Sequence, residues 1–245
     1  MRTKGQPENK SDLIVELFAE DSVPAVRGML YRPSAATGAA LVLGHGAGSN
    51  CHGPLLAGVA SAFAKAGFNV LCCDLPFRQK RAHGPPFPGE AAENREGLRN
   101  AVKALRKLAP GDSRGRIFLG GHSYGGRQAT MLAAEDGGVA DGLLLLSYPL
   151  HPPRQPAQLR TAHFPALRTP ALFVHGTRDP FGSLEEMKAA LKLISGRTKF
   201  VAIEGAGHEL VPGKKAQRSA EDAAGVFGRV LDAFRDFFSD EPRAN

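Results

Sequence analysis

The stretch Gly121-His122-Ser123-Tyr124-Gly125 decides the reading of this chain. It fits G-x-S-x-G, and it sits between the apolar run RIFLG (116–120) and the helical pattern GRQATMLAAE (126–135). A serine held on a tight turn from strand to helix is pushed into strained backbone, and side chains beside it would collide with the neighbouring strand and helix. Gly121, Gly125 and Gly126 supply that clearance. The N-terminus of the following helix adds positive potential and free N–H groups beside the hydroxyl. The pattern therefore predicts a nucleophilic serine at position 123.

A serine hydroxyl needs a base, and the base needs a carboxylate to orient it. In this arrangement they follow the serine in the order acid, then histidine. Of the eight histidines only His208 follows the last apolar run, in EGAGH (204–208), where glycines let a loop turn back over the serine. The acid expected is Asp179, in HGTRDP (175–180), past the penultimate run. Glu204 competes poorly because it lies on the last strand, only four residues before the histidine. Two backbone donors must meet the oxyanion of a tetrahedral intermediate. Tyr124, next to the serine, is expected to supply one, and Ala47, in the glycine-rich loop GHGAGSN (44–50), the other.

Around these motifs, short runs of Leu, Val, Ile and Phe alternate with longer stretches of three-to-four-residue periodicity, the mark of α/β architecture. Runs at 13–18 and 26–31 read as an antiparallel hairpin, followed by strands at 40–43, 70–73, 117–119, 143–146, 172–174 and 200–203. Helices are expected near 54–66, 90–108, 125–135, 184–194 and 219–238. The expectation is a mostly parallel eight-stranded sheet with helices on both faces, in one domain over 11–240 after a flexible 1–10. Proline and glycine density makes loops of 81–89 and 148–156, at the carboxyl ends of strands where ligand crevices form. The second insert is too short for an independent lid domain.

Composition is that of a globular chain: 42% hydrophobic and 22% charged. The longest apolar run, 142–147, is far below the ~18 residues of a membrane span. The polar start MRTKGQPENK carries no secretory pattern, which predicts a cytoplasmic protein. Three cysteines, two of them adjacent at 72 and 73 on opposite faces of one strand, argue against a disulfide framework. The net charge of +7 is scattered, with no Trp and three Tyr, so nucleic-acid binding is not expected. The loop at 44–50 fails the dinucleotide fingerprint because the third glycine falls on Ser49 or Cys51. With no HExxH or paired CxxC motif, neither metal nor cofactor is expected.

Taken together, GHGAGS, GGHSYGGRQ, HGTRDPFG and GAGH resemble the α/β-hydrolase superfamily over nearly the whole chain. With SYPLHPP and LRTAHFP they are similar to its dienelactone-hydrolase-like branch, which includes a testis-expressed protein and a subunit of the nonspecific-lethal histone acetyltransferase complex. That resemblance implies Ser123, Asp179 and His208 as nucleophile, acid and base, with serine where dienelactone hydrolases carry cysteine. It implies hydrolysis of a small acyl substrate, an ester, thioester or amide, with a protein-interaction subunit as the alternative. The cations Arg78, Lys80 and Arg81, on the loop after the strand at 70–73, and Arg127, one turn past the serine, are expected at the substrate edge and favour anionic substrates.

Overall fold

The computed structural model describes residues 13–108, 115–210 and 220–239, with side chains from 225 in the last of these. The expected flexible segment 1–10 lies outside the described residues. The strands are β1 (Leu13–Glu20), β2 (Val26–Pro33), β3 (Ala40–Gly44), β4 (Asn69–Cys73), β5 (Ile117–His122), β6 (Gly142–Leu146), β7 (Ala171–Gly176) and β8 (Thr198–Ile203). The helices are α1 (Pro54–Lys65), α2 (Pro76–Lys80), α3 (Ala91–Lys107), α4 (Tyr124–Glu135), α5 (Leu184–Leu191) and α6 (Ala220–Phe238).

All eight strands form one sheet in the order β1-β2-β4-β3-β5-β6-β7-β8, antiparallel at β1/β2 and β2/β4 and parallel from β4 onward. Strands covered on both faces need no polar alternation, which is why GLLLL is a workable strand. In β6, Leu143 and Leu145 pack with α3, α4 and α5, and Leu144 and Leu146 with α1 and α6. Cys72 and Cys73 divide between the same two cores, and all three cysteines are free and buried. On the α1/α6 side Phe118 meets Phe68, Phe234 and Phe238, the ring pairs 4.7 to 6.3 Å apart.

Two departures from the expected elements matter. Residues 76–80 form α2 rather than loop, so Arg78 and Lys80 are helical. Pro76 starts the turn with its fixed φ after extended Leu75, and five residues are too few to show a period. In addition, β5 runs on through Gly120, Gly121 and His122, which delivers the chain straight into Ser123. The segment between β6 and β7 carries only turns and a 3₁₀ turn at Phe164–Ala166, so no lid domain covers the carboxyl edge there. No described helix is long and apolar enough to cross a membrane.

Candidate active site

β3, β5 and β6 are neighbours at the centre of the sheet, and Ser123 stands at the carboxyl end of the middle one. It is the single residue between β5 and α4, at φ 50° and ψ −113°, a conformation that costs a non-glycine residue about 1–3 kcal/mol. Hydrogen bonds hold it from both sides: its N–H donates to the Leu146 carbonyl at 2.9 Å, and its carbonyl accepts from the Arg127 N–H at 2.9 Å. Clearance is as tight as the motif requires. A Cβ at Gly121 would lie 2.1 Å from the Gly44 carbonyl oxygen, and one at Gly125 2.3 Å from the same atom.

The loop after β8 turns at Gly205, whose φ is 71°, and returns His208 over the serine. His208 Nε2 lies 2.8 Å from Ser123 Oγ, and its Nδ1 lies 2.8 Å from Asp179 Oδ2. Phe181 covers the imidazole, with ring centroids 4.2 Å apart. His122 fixes the histidine's backbone by donating from Nε2 to the His208 carbonyl at 2.9 Å. Phe181 and His122 complete the frame around the imidazole; His122 reads from the sequence as a residue that orients a loop, as it does here, and Phe181 carries no such signal.

Asp179 has a fully buried carboxylate. Burial works to raise its pKa, yet the bond and charge of His208, with the Phe181 N–H donated to Oδ1 at 2.9 Å, hold it below the ordinary carboxylate value. His175, also buried, donates from Nε2 to the Gly182 carbonyl at 2.8 Å, so its unpartnered Nδ1 faces Asp179 Oδ2 from 3.8 Å. Burial keeps that ring neutral.

On the other side of the serine runs the 44–51 loop. Among the described residues the Ala47 and Tyr124 N–H groups have no acceptor, which leaves both free to donate. The loop is braced from outside. His45 donates from Nδ1 to the Gly46 carbonyl and accepts the Leu75 N–H at Nε2, and burial holds it neutral. Asp74 Oδ1 accepts the Cys51 N–H at 2.7 Å. Arg78 donates to the carbonyls of Ala47, Ser49, Arg81, Ala82 and Gly84, one for each of its N–H groups.

The expected substrate-edge cations thus separate. Arg78 has no N–H left for a ligand, Arg81 is bound bidentately by Glu90 at 2.8 and 2.6 Å, and Lys80 pairs with Glu93. Arg127 forms no ion pair among the described residues. Those residues also contain no His, Cys, Asp and Glu group arranged to hold a metal.

The family described as alpha/beta hydrolase domain matches residues 37–238. Among solved structures, a dienelactone hydrolase from Anabaena variabilis superposes with a TM-score of 0.68 at 20% identity, covering 93% of this chain and 99% of its own. An esterase from Pyrococcus furiosus gives 0.69 at 16% identity, covering 97% of each chain. A lidless serine hydrolase from Xanthomonas campestris gives 0.63 at 14% identity, over 97% of this chain and 100% of that one.

Proposed function

The chain belongs to the alpha/beta hydrolase domain family, and from that premise we propose that it is a serine hydrolase of small acyl substrates, esters or thioesters first and amides second. The observation that carries the reading is the unbroken line from Asp179 through His208 to Ser123, each link 2.8 Å long. Beside it stand the two free N–H groups of Ala47 and Tyr124.

In this reaction Ser123 Oγ attacks the acyl carbon while its proton passes to His208 Nε2. The Asp179 carboxylate stabilises the imidazolium and keeps Nδ1–H pointed at itself. Charge on the carbonyl oxygen is met by the Ala47 and Tyr124 N–H groups. Collapse expels an alkoxide or thiolate that takes the proton from His208, and water repeats the sequence on the acyl-serine to release the acid. Activated leaving groups suit such a site, which is why esters and thioesters come before amides. The reaction needs no cofactor, and a cytoplasmic location over a single domain of 11–240 belongs to the same proposal. A protein-interaction subunit, the alternative that the resemblance implies, needs neither the aligned groups nor the free donors.

Labelling with a fluorophosphonate probe tests the reading without knowledge of the substrate. Purified protein is expected to label within minutes, Ser123→Ala not at all, and the same substitution to remove 4-nitrophenyl ester turnover by about 10⁴ or more. Labelling that persists in Ser123→Ala would place the nucleophile elsewhere.

A further inference from the structure

Six arginines of the first hundred residues have committed partners: Arg27, Arg32, Arg81, Arg95 and Arg99 pair with carboxylates, and Arg78 is filled by carbonyls. Two on the β6 side of the sheet do not. Arg127 lies on the first turn of α4, its own N–H on the Ser123 carbonyl. Arg160 lies on the segment that leaves the carboxyl end of β6, the strand next to β5. Among the described residues neither has a carboxylate partner. The Arg127 Nε is shut away from water with no acceptor. The Arg160 guanidinium donates only from Nη1, to the Pro149 carbonyl at 3.3 Å.

Both side chains are half-buried, and no carboxylate is among the groups that act on Arg160. Burial and then the Arg127 charge lower the Arg160 pKa, so the two guanidinium groups repel one another. Arg95 is nearby and already bound to Glu135 and Gln128. His163, whose Nε2 meets the Thr130 hydroxyl at 2.8 Å, is pushed down to about 4 by burial and by Arg127 and Arg95, and stays neutral. Half-dehydrated like charges cost free energy that an oxyanion between them removes. A cation would be repelled, and an apolar group would leave the two charges uncompensated. The planar guanidinium fork matches the paired oxygens of a carboxylate or a phosphate.

We propose that Arg127 and Arg160 form an anion subsite on the β6 side of Ser123, which takes a carboxylate or phosphate group carried by the acyl substrate. This rests on the serine-hydrolase reading only in making the anion part of the molecule whose acyl carbon reaches Ser123. It also moves anion selection from Arg78, whose donors are all occupied, and Arg81, which is clamped by Glu90, to a pair with no carboxylate partner among the described residues.

The test compares kcat/KM for the 4-nitrophenyl monoester of glutaric acid with that for neutral 4-nitrophenyl valerate, which has the same acyl length. Wild type is expected to favour the anion. Arg127→Gln and Arg160→Gln should each cut the anionic-to-neutral ratio by about tenfold or more. Lys103→Gln, which removes an equal charge from an exposed site on α3, should preserve it. Calorimetric titration of the Ser123→Ala protein with glutarate and with inorganic phosphate reads the subsite without turnover. The tighter of the two names the group, and loss of its binding in Ser123→Ala/Arg127→Gln supports the assignment. Absence of binding by both anions, or an anionic preference that survives Arg127→Gln, would overturn it. If neither ester is hydrolysed while Arg127-dependent binding persists, the subsite stands and the nucleophile assignment fails.

Discussion

Arg78 and Arg127 carry the same side chain to opposite sides of Ser123 and meet opposite surroundings. On the β3/β4 side Arg78 is buried, with a carbonyl for every N–H. On the β6 side Arg127 has a buried Nε without an acceptor, and Gln128 Nε2 and Ser147 Oγ in the same region are also unpartnered. The difference follows from what each side must do. The 44–51 loop is glycine-rich and has few side chains to hold it, yet in the proposed reaction its Ala47 N–H must stay aimed at one point, and an arginine braces it from outside. The β6 side has no such loop to aim, and those buried polar atoms carry no protein partner.

The contrast is sharpest where partners are most complete. Asp179→Asn is expected to lower kcat by about 10⁴ with KM little changed. An amide that still accepts the Phe181 N–H turns its NH₂ toward His208 Nδ1 and forces the wrong tautomer. Turnover near wild type would reduce Asp179 to the cap of its turn. Next in size, Arg78→Met strips five carbonyls of their donors. Unfolding free energy from urea curves should fall by about 2–4 kcal/mol, and ester turnover by about 10- to 100-fold as the Ala47 N–H drifts.

Arg127→Gln, the same loss of charge on the other side, is expected to leave stability within about 0.5 kcal/mol of wild type or raise it. It breaks no native bond and relieves the repulsion with Arg160. A destabilisation as large as that of Arg78→Met would erase the contrast. The smallest effect is a pH dependence centred on His163. Its pKa falls from the ordinary 6.5 to about 4 on folding, so between those values the unfolded chain binds more protons and stability is lost as pH falls. The urea midpoint should drop between pH 7 and pH 5 by more in wild type than in His163→Gln. Glutarate or phosphate, by offsetting the Arg127 charge beside His163, should reduce that drop.

The central strands β3 to β7 and the longer helices were legible in the sequence because a both-face-buried strand is a continuous apolar run and an amphipathic helix a periodic one, while β1, β2 and β8, less buried, were marked by the turn residues that bound them. α2 was not, since five residues begun by Pro76 carry no period. Ser123, Asp179 and His208 were legible as candidates for a related reason: each sits in a turn whose glycines or prolines mark the end of a strand, and their order along the chain matches the order of roles. Phe181 carried no such mark, and Arg160 stood in LRTAHFP among other polar residues with nothing to single it out.

The cations show where reading along the chain stops. Arg78, Arg81 and Arg127 read alike as basic residues near strand ends, and pattern separates none of them. Their partners are distant in sequence: the Arg78 brace closes on Ala47 and Ser49, about thirty residues upstream, and the Arg81 clamp on Glu90 depends on how the turn at Pro88–Glu90 folds back. Local pattern settled the strands, the elbow and the order of the three catalytic candidates, because backbone strain and hydrophobic period act between near neighbours. Which arginine is filled and which is open depends on distances across space, and only the packed sheet with its loops assigned them.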